Sequence, residues 1–268
     1  MAYPDRPADP AAPVLHWREG GVAHIRFNRP KALNAIDVAT AQAFVQACAD
    51  IARDEAVRAV LLSAEGRAFM AGGDLAAMRE NPVPVAQALI AGMHGGIRLL
   101  AGLQAPVVAG VQGAVAGGGL GLLLGSSDLI VAAEGTRFGV AYPLIGASAD
   151  CSTSWSLPRL VGLRKAMELA LLGDTLDAAE ALRLGLINRV VPADALADES
   201  LALARRLAQG PTRAYGRLKA LLRSSLDHDL DTQLDAEAEG FQACAASADF
   251  REGVAAFLDK RPAKFQGL

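Results

Sequence analysis

The sequence predicts an α/β fold followed by a helical region, and three observations support this prediction. The stretch at 14–27 alternates apolar and polar residues around a turn at 19–21, a pattern typical of a β-hairpin. Two apolar, β-branched runs at 57–63 and 107–111 each lead into a glycine-bearing segment and then a helical pattern, so strands and helices alternate. After about residue 193 the pattern is helical, without a convincing strand.

The remaining elements are predicted by the same rules. In chain order they are a helix that Asp37 can cap and that runs to about residue 52, a helix at 85–103, strands at 128–133 and 137–140, and a helix around Trp155. We predict a disordered tail at 1–13, because this segment is rich in Pro, Ala and Asp and lacks the apolar residues that offset ordering entropy. The core is expected at 14–192 and a C-terminal helical region at 193–268.

Composition and charge argue against several classes of function. The chain has 268 residues, of which 52% are hydrophobic and 21% charged, enough to bury a sizeable core. Its net charge of −3 offers no electrostatic footprint for nucleic acid or for an anionic membrane. The longest apolar run, at 114–125, is too short to span a bilayer, and the N-terminus lacks a signal-peptide pattern, so we expect a cytoplasmic protein.

Neither the cysteines nor the common cofactor motifs suggest a bound metal or cofactor. The three cysteines are widely spaced and form no C-x-x-C pair, so neither a disulfide framework nor a structural zinc site is predicted. Cys151 is interpreted as a small buried hydrophobe rather than a nucleophile. The chain also lacks a P-loop, a G-x-G-x-x-G fingerprint, a G-x-S-x-G elbow and an H-E-x-x-H motif. We therefore expect neither a metal nor a redox cofactor.

Two glycine-bearing segments are the most informative part of the chain. They are AGGD at 71–74 and AGGGLG at 116–121, and each follows a β-branched run. Together they can direct two backbone N–H groups at one oxygen, an arrangement that stabilises an oxyanion. The alternative is that these glycines only permit tight turns and close helix packing.

Four segments resemble the enoyl-CoA hydratase/isomerase (crotonase) superfamily in order and spacing. They are NRPKALNA at 28–35, AFMAGGDL at 68–75, GAVAGGG at 113–119 and LPRLVG at 157–162, and the resemblance covers about residues 14–265. It implies an α/β crotonase spiral of repeated ββα units with a C-terminal helical trimerisation region that completes the ligand site. It also implies an acyl-CoA substrate, a homotrimer or dimer of trimers, and coenzyme A only as part of the thioester.

The resemblance assigns roles to particular residues. Gly73 and Gly118 correspond to the amides that hold the thioester oxygen. The two acid/base glutamates of enoyl-CoA hydratases fall at Gly121 and Tyr142, so both carboxylates are absent; a shift of one residue would put Leu122 at the first position. This departure argues against ordinary hydration of crotonyl-CoA.

A carboxylate is present elsewhere, at Asp150, in a loop of small residues. The same position carries the catalytic aspartate of a ring-epoxide isomerase of phenylacetyl-CoA breakdown and the nucleophilic aspartate of an aryl-CoA dehalogenase. The alternative is that Asp150 only caps the helix around Trp155. His94, which precedes two glycines in a predicted helix, resembles the base of that dehalogenase but is also compatible with a core or surface histidine.

Three functions follow from this arrangement. The first is a double-bond or ring isomerase in which Asp150 removes and returns a proton, with His94 assisting. The second is a dehalogenase-like enzyme with Asp150 as nucleophile and His94 activating water. The third is an acyl-CoA-binding protein without turnover. The substrate- and CoA-binding residues that the resemblance implies are Arg29, Ala32, Ala71, Gly73, Asp74, Leu75, Gly118, Tyr142, Phe257 and Lys260. The last two could instead belong to an ordinary amphipathic terminal helix.

Overall fold

The computed structural model describes residues 11–268, which form nine strands and eleven helices. The strands are β1 (Val14–Glu19), β2 (Val22–Phe27), β3 (Ala59–Ala64), β4 (Val107–Val111), β5 (Ala114–Ala116), β6 (Leu129–Ala133), β7 (Arg137–Gly139), β8 (Thr175–Asp177) and β9 (Arg189–Val191). The helices are α1 (Val38–Arg53), α2 (Leu75–Met78), α3 (Pro82–Gly102), α4 (Gly118–Ser126), α5 (Thr153–Val161), α6 (Leu163–Leu172), α7 (Ala178–Arg183), α8 (Leu196–Ala208), α9 (Thr212–Ser224), α10 (Leu230–Ala245) and α11 (Ala248–Leu258).

The strands form two sheets that the chain visits in turn. The larger sheet has the order β1-β2-β3-β4-β6-β9 and is parallel except for the β1–β2 hairpin; the smaller has the order β5-β7-β8. The chain passes from β4 to β5 and again from β6 to β7, each time moving from the larger sheet to the smaller one. Strands β2, β3 and β4 are buried along their whole length, which explains why β3 and β4 are almost entirely apolar in sequence.

The local signals in the sequence correspond to observed elements. Gly20 has a φ of +58° in the turn of the predicted hairpin, a conformation that suits glycine. The Asp37 side chain accepts a hydrogen bond from the Thr40 N–H at 2.8 Å and so caps α1 as predicted. The sequence pattern does not predict β5, β8 and β9, which have three residues each and therefore show little periodicity.

Helix α3 packs closely against α1 through glycines. A Cβ atom on Gly92 would lie 2.7 Å from the Ala41 carbonyl oxygen, and one on Gly96 would overlap the Phe44 ring. Helix α1 is therefore the close neighbour for which these glycines leave room. At 21 residues α3 is long and apolar enough to cross a membrane by length and composition, a test that a core helix of a soluble protein also passes.

Both ends of the described chain make contacts that bear on the predicted division into a tail, a core and a C-terminal region. Residues 1–10 of the predicted tail lie outside the described residues. For Ala12 and Pro13 the prediction of disorder is wrong, because their carbonyl groups accept hydrogen bonds from Asn28 at 2.9 and 2.8 Å. At the other end, α8 packs on the larger sheet, where Leu201 and Ala204 meet β2, β3 and β4. This helix of the predicted C-terminal region therefore shares the packing of the core.

Candidate active site

The two glycine segments, residues 71–74 and 116–121, lie side by side. The Ala116 N–H donates to the Met70 carbonyl at 2.9 Å, and Met70 and Val115 form a parallel bridge. A Cβ atom on Gly72 would lie 3.3 Å from the Ala116 carbonyl oxygen, and Gly72 has a φ of +103°. Only glycine adopts this conformation so close to a neighbouring backbone without strain.

The pairing leaves the N–H groups of Gly73 and Gly118 available. Ile36 bonds to the two neighbours of Gly73, donating to the Gly72 carbonyl and accepting from the Asp74 N–H, both at 2.8 Å. In a parallel bridge the residue between two such bonds directs its own N–H to the other side. Gly118 opens α4, where a first-turn N–H has no partner within the helix. Neither amide donates to a protein acceptor within residues 11–268, so both can meet a ligand oxygen. Their role as oxyanion donors remains a prediction.

Both glycines line a cavity of about 470 Å³. Most of its wall is apolar and comes from α3, α2 and the 3₁₀ helix Tyr142–Ile145. Its polar side chains are those of Tyr142, Ser148 and Asp150. Ala71 and Leu75 also line this cavity, and their predicted contact with the substrate stays a prediction. The arrangement suits an acyl group whose carbonyl oxygen points at the two amides.

Asp150 lies beside the second amide. Its Oδ1 atom lies 3.8 Å from the position that a Cβ atom on Gly118 would occupy, and the Tyr142 hydroxyl donates a hydrogen bond to the same Oδ1. Burial raises the pKa of Tyr142, and the nearby Asp150 raises it further, so the phenol stays protonated and can donate. Helix capping does not explain Asp150, because Ser152 occupies the N-cap position of α5.

The loop that carries Asp150, residues 146–152 and hereafter the Asp150 loop, rests on a glycine face of α4. A Cβ atom on Gly121 would lie 2.5 Å from the Cys151 carbonyl oxygen, and one on Gly125 would overlap the Ser152 hydroxyl. That hydroxyl donates to the Gly121 carbonyl at 2.9 Å. The glycine at position 121 therefore does more than remove the hydratase carboxylate. Because it has no side chain, the Asp150 loop can pack directly on α4. The spacing of the two glycines by four residues in a helix was the signal in the sequence.

His94 contacts the backbone of this loop. The Cys151 N–H donates to His94 Nε2 at 3.1 Å, across 57 residues of sequence. Cys151 and Ser152 have φ values of +50° and +77°, so two consecutive non-glycine residues are left-handed. His94 is not among the residues that line the cavity.

Ligating atoms of His94, Asp150 and Cys151 lie within 4.8 Å of one another. Burial and the adjacent Asp150 raise the pKa of the Cys151 thiol, so it stays protonated. This supports the interpretation of Cys151 as a buried hydrophobe. The expectation that the protein holds no metal stays a prediction.

Arg29 is engaged differently from the prediction. Its Nη2 lies 3.1 Å from both Asp37 Oδ2 and Asp74 Oδ2, and its Nη1 donates to the Ala35 carbonyl. The guanidinium thus links the start of α1 to the end of the first glycine segment, rather than standing free for a phosphate or ribose. Asp74 also caps α2, and neither it nor Ala32 lines the cavity. The sequence could not reveal the pairing of Arg29 with Asp74, because the two residues are 45 positions apart.

Phe257 and Lys260 are not brought to this cavity within one chain. Phe257 is 84% exposed and lines a second groove of about 560 Å³ between α9, α10, α11 and the C-terminal residues. Lys260 follows α11 and lines neither hollow. Their predicted contact with CoA stays a prediction.

Comparison with known proteins establishes the family. The model of the enoyl-CoA hydratase/isomerase family matches residues 18–267, and the chain belongs to this family. The 1,2-epoxyphenylacetyl-CoA isomerase of Escherichia coli (strain K12) is 39% identical over 95% of this chain and 98% of its own length. The 4-chlorobenzoyl coenzyme A dehalogenase-2 of an Arthrobacter species is 34% identical over 90% and 88%. The resemblance that the sequence motifs suggested is thus confirmed.

A solved structure supports the same conclusion for the fold. The enoyl-CoA hydratase of Mycobacterium smegmatis superposes with a TM-score of 0.87 over 94% of this chain and 98% of that chain, at 35% identity. The predicted crotonase fold is confirmed, and the chain is an acyl-CoA enzyme of the hydratase/isomerase family. The relatives catalyse different reactions, so the particular chemistry has to be argued from the site.

Proposed function

We propose that this enzyme isomerises an enoyl- or aryl-CoA thioester by moving one proton with one carboxylate. The observation that carries the proposal is the Asp150 carboxylate beside Gly118 in an apolar cavity. The two positions that match the hydratase glutamates, Gly121 and Tyr142, hold no carboxylate. Similarity to an epoxyphenylacetyl-CoA isomerase supports the same class of reaction.

The proposed reaction balances without an added reactant. With a 3-enoyl-CoA, Asp150 takes a proton from the α carbon, and the electron pair moves to the thioester oxygen. The N–H groups of Gly73 and Gly118 stabilise the resulting dienolate, helped by the positive end of the α4 dipole. Asp150 then returns the proton to the γ carbon, which yields the conjugated 2-enoyl-CoA. Since no electron or water is consumed, the reaction needs no cofactor beyond the CoA of the substrate.

Hydration fits the site less well. A hydratase of this family uses two glutamates to activate water and to protonate carbon, and such groups each contribute about 10²–10⁴ in rate. Here one position is Gly121, whose missing side chain is replaced by the backbone of the Asp150 loop. The other is Tyr142, whose hydroxyl is engaged by Asp150. We therefore expect negligible hydration of crotonyl-CoA.

A hydrolytic dehalogenase is the second candidate, because His94 and Asp150 lie close together as a base and a nucleophile require. Against it, His94 Nε2 already accepts the Cys151 N–H and is not free to accept a proton from water. A binding protein without turnover is the third candidate, and product formation excludes it.

The deciding experiment is a panel of CoA thioesters that contains a 3-enoyl-CoA, an aryl-epoxide-CoA, crotonyl-CoA and 4-chlorobenzoyl-CoA. We expect isomerised product from one of the first two, and neither hydration nor chloride release. Chloride release would favour the dehalogenase, and hydration at ordinary hydratase rates would refute the mechanism. Thioester binding without any product would favour the binding protein.

The assembly is part of the proposal. Exposed apolar residues cover α5, α6 and the C-terminal helices, including Leu163, Leu171 and Phe257. Such surface is typical of a protein–protein interface, and it supports the proposed homotrimer or dimer of trimers. Light scattering after size-exclusion chromatography measures the mass and tests this proposal.

A further inference from the structure

We infer that His94 is a positioning residue that sets the Asp150 carboxylate through the backbone of Cys151, and is not a proton carrier. The inference rests on the proposed function, because it assigns Asp150 the reacting group. Three features of the structure support it.

The first feature is the way α3 is held. Gly92, Gly95 and Gly96 bring α3 against α1, where Cβ atoms would meet Ala41, Val45 and Phe44. This close contact fixes α3 against α1. His94 does not take part in it and contacts the Asp150 loop. The two glycines after His94, which cost helix stability, are thereby explained.

The second feature is the direction of the hydrogen bond. A backbone N–H can only donate, so the Cys151 N–H requires an unprotonated lone pair on His94 Nε2 at 3.1 Å. The ring proton must then be on Nδ1. The nitrogen that could serve as a base toward the cavity is thus already used, and His94 does not line the cavity.

The third feature is the strained turn that His94 holds. Cys151 and Ser152 are both left-handed, a conformation that non-glycine residues adopt at a cost. This turn directs Asp150 toward Gly118 on one side and seats Ser152 against Gly125 on the other. Among the described residues, His94 supplies the partner of the Cys151 N–H, so losing the acceptor leaves that group unpaired next to the reacting carboxylate.

Two substitutions separate positioning from proton transfer. His94→Gln offers a side-chain oxygen that accepts a hydrogen bond at about the reach of Nε2 but cannot act as a base. His94→Leu offers no acceptor. We expect His94→Gln to keep kcat within about threefold of wild type, and His94→Leu to lower kcat roughly 10- to 100-fold with KM little changed. His228→Leu, at an exposed histidine between α9 and α10, is the matched control and should behave as wild type.

Equal losses in both His94 variants would overturn the inference and make His94 a base. Wild-type kcat in His94→Leu would overturn it as well. A second measurement does not depend on turnover: hydrogen exchange of the peptide that spans 148–154 should be faster in His94→Leu than in wild type or His94→Gln. Unchanged exchange in His94→Leu would refute the inference.

The failure of the proposed function can be recognised separately. If Asp150→Asn keeps full turnover, the proposed mechanism is wrong, and the exchange measurement alone then decides the role of His94. If Asp150→Asn is inactive while His94→Leu is fully active, only the inference about His94 fails.

Discussion

The glycine segments and the Asp150 loop meet at one cavity, and they are held in different ways. The amides of Gly73 and Gly118 are backbone groups, and parallel bridges to Ile36 and between Met70 and Val115 set their direction. The Asp150 carboxylate is a side chain on a loop, and its direction depends on contacts with Tyr142, His94 and Gly121. In the proposed mechanism, the part of the site that holds the thioester oxygen is thus built into strand pairing, whereas a few side chains set the direction of the carboxylate that reacts. Chemistry that depends on a few side chains can change while the fold stays the same.

The largest expected effect is at Asp150, the proposed reacting carboxylate. Asp150→Asn should lower kcat roughly 10³-fold or more, because an amide cannot accept the α proton. Asp150 does not cap α5, so the melting temperature and the affinity for a CoA thioester should stay close to wild type. Steady-state kinetics, thermal unfolding and calorimetric binding measure the three quantities. Full turnover in this variant would remove the Asp150 loop from the chemistry.

Removing one amide donor tests the glycine segments. Gly73→Pro deletes an N–H group and should lower turnover by roughly 10²–10³-fold. Backbone distortion adds to the loss, so circular dichroism must show a folded protein. A folded Gly73→Pro variant with full activity would mean that Gly73 is only a turn residue.

The packing of the Asp150 loop on α4 should be sensitive to one added methyl group. Gly121→Ala places a Cβ atom 2.5 Å from both the Cys151 carbonyl oxygen and the Thr153 hydroxyl, so the loop must move. We expect roughly tenfold lower kcat and a loss of about 1–3 kcal/mol in the free energy of unfolding. Gly102→Ala is the matched control, because it also adds a methyl group to a helical glycine but meets nothing within 4 Å.

The same position makes a sharper test of the chemistry. Gly121→Glu restores a hydratase carboxylate in sequence, yet it should not produce crotonyl-CoA hydration, because the glutamate and the Asp150 loop need the same space. Hydration in this variant, followed by absorbance of the enoyl thioester, would mean that the loop yields easily and that the Asp150 loop and the glycine segments are equally adaptable.

The smallest effect at neutral pH is expected at His24, which lies on the sheet away from both regions. It is fully buried, stacks on Trp17 at 4.4 Å, and has no hydrogen-bond partner for either ring nitrogen in the described part of the chain. Burial lowers the pKa of His24 from 6.5 to about 4. Because the folded pKa lies below the unfolded one, the stabilisation is present above pH 6.5 and is lost as the pH falls toward 4.

Replacing this histidine tests whether its titration contributes to the loss of stability in acid. The shift corresponds to about 3 kcal/mol between the ends of that pH range. His24→Phe keeps an aromatic stack, so its free energy of unfolding should decrease less than that of wild type between pH 6.5 and 4, measured by urea denaturation. Equal pH dependence in the two proteins would mean that His24 is not the titrating group.

The sequence by itself determined the parts of this protein that depend on neighbours in the chain. The hairpin at 14–27, the Asp37 cap of α1 and the two glycine segments follow from local patterns, and four short motifs were sufficient to indicate the family. Local propensity and capping act over a few residues, so the amino-acid sequence alone contains these signals.

Only the tertiary structure decided how the site is supported. It pairs Arg29 with Asp74, joins His94 to Cys151, and fills the space above Gly121 with the Asp150 loop. Each of these contacts joins residues about 30 to 57 positions apart, and each depends on the relative placement of packed helices and loops. Hydrogen bonds and close packing require positions accurate to a few tenths of an ångström, and residue types in a sequence carry no such distances.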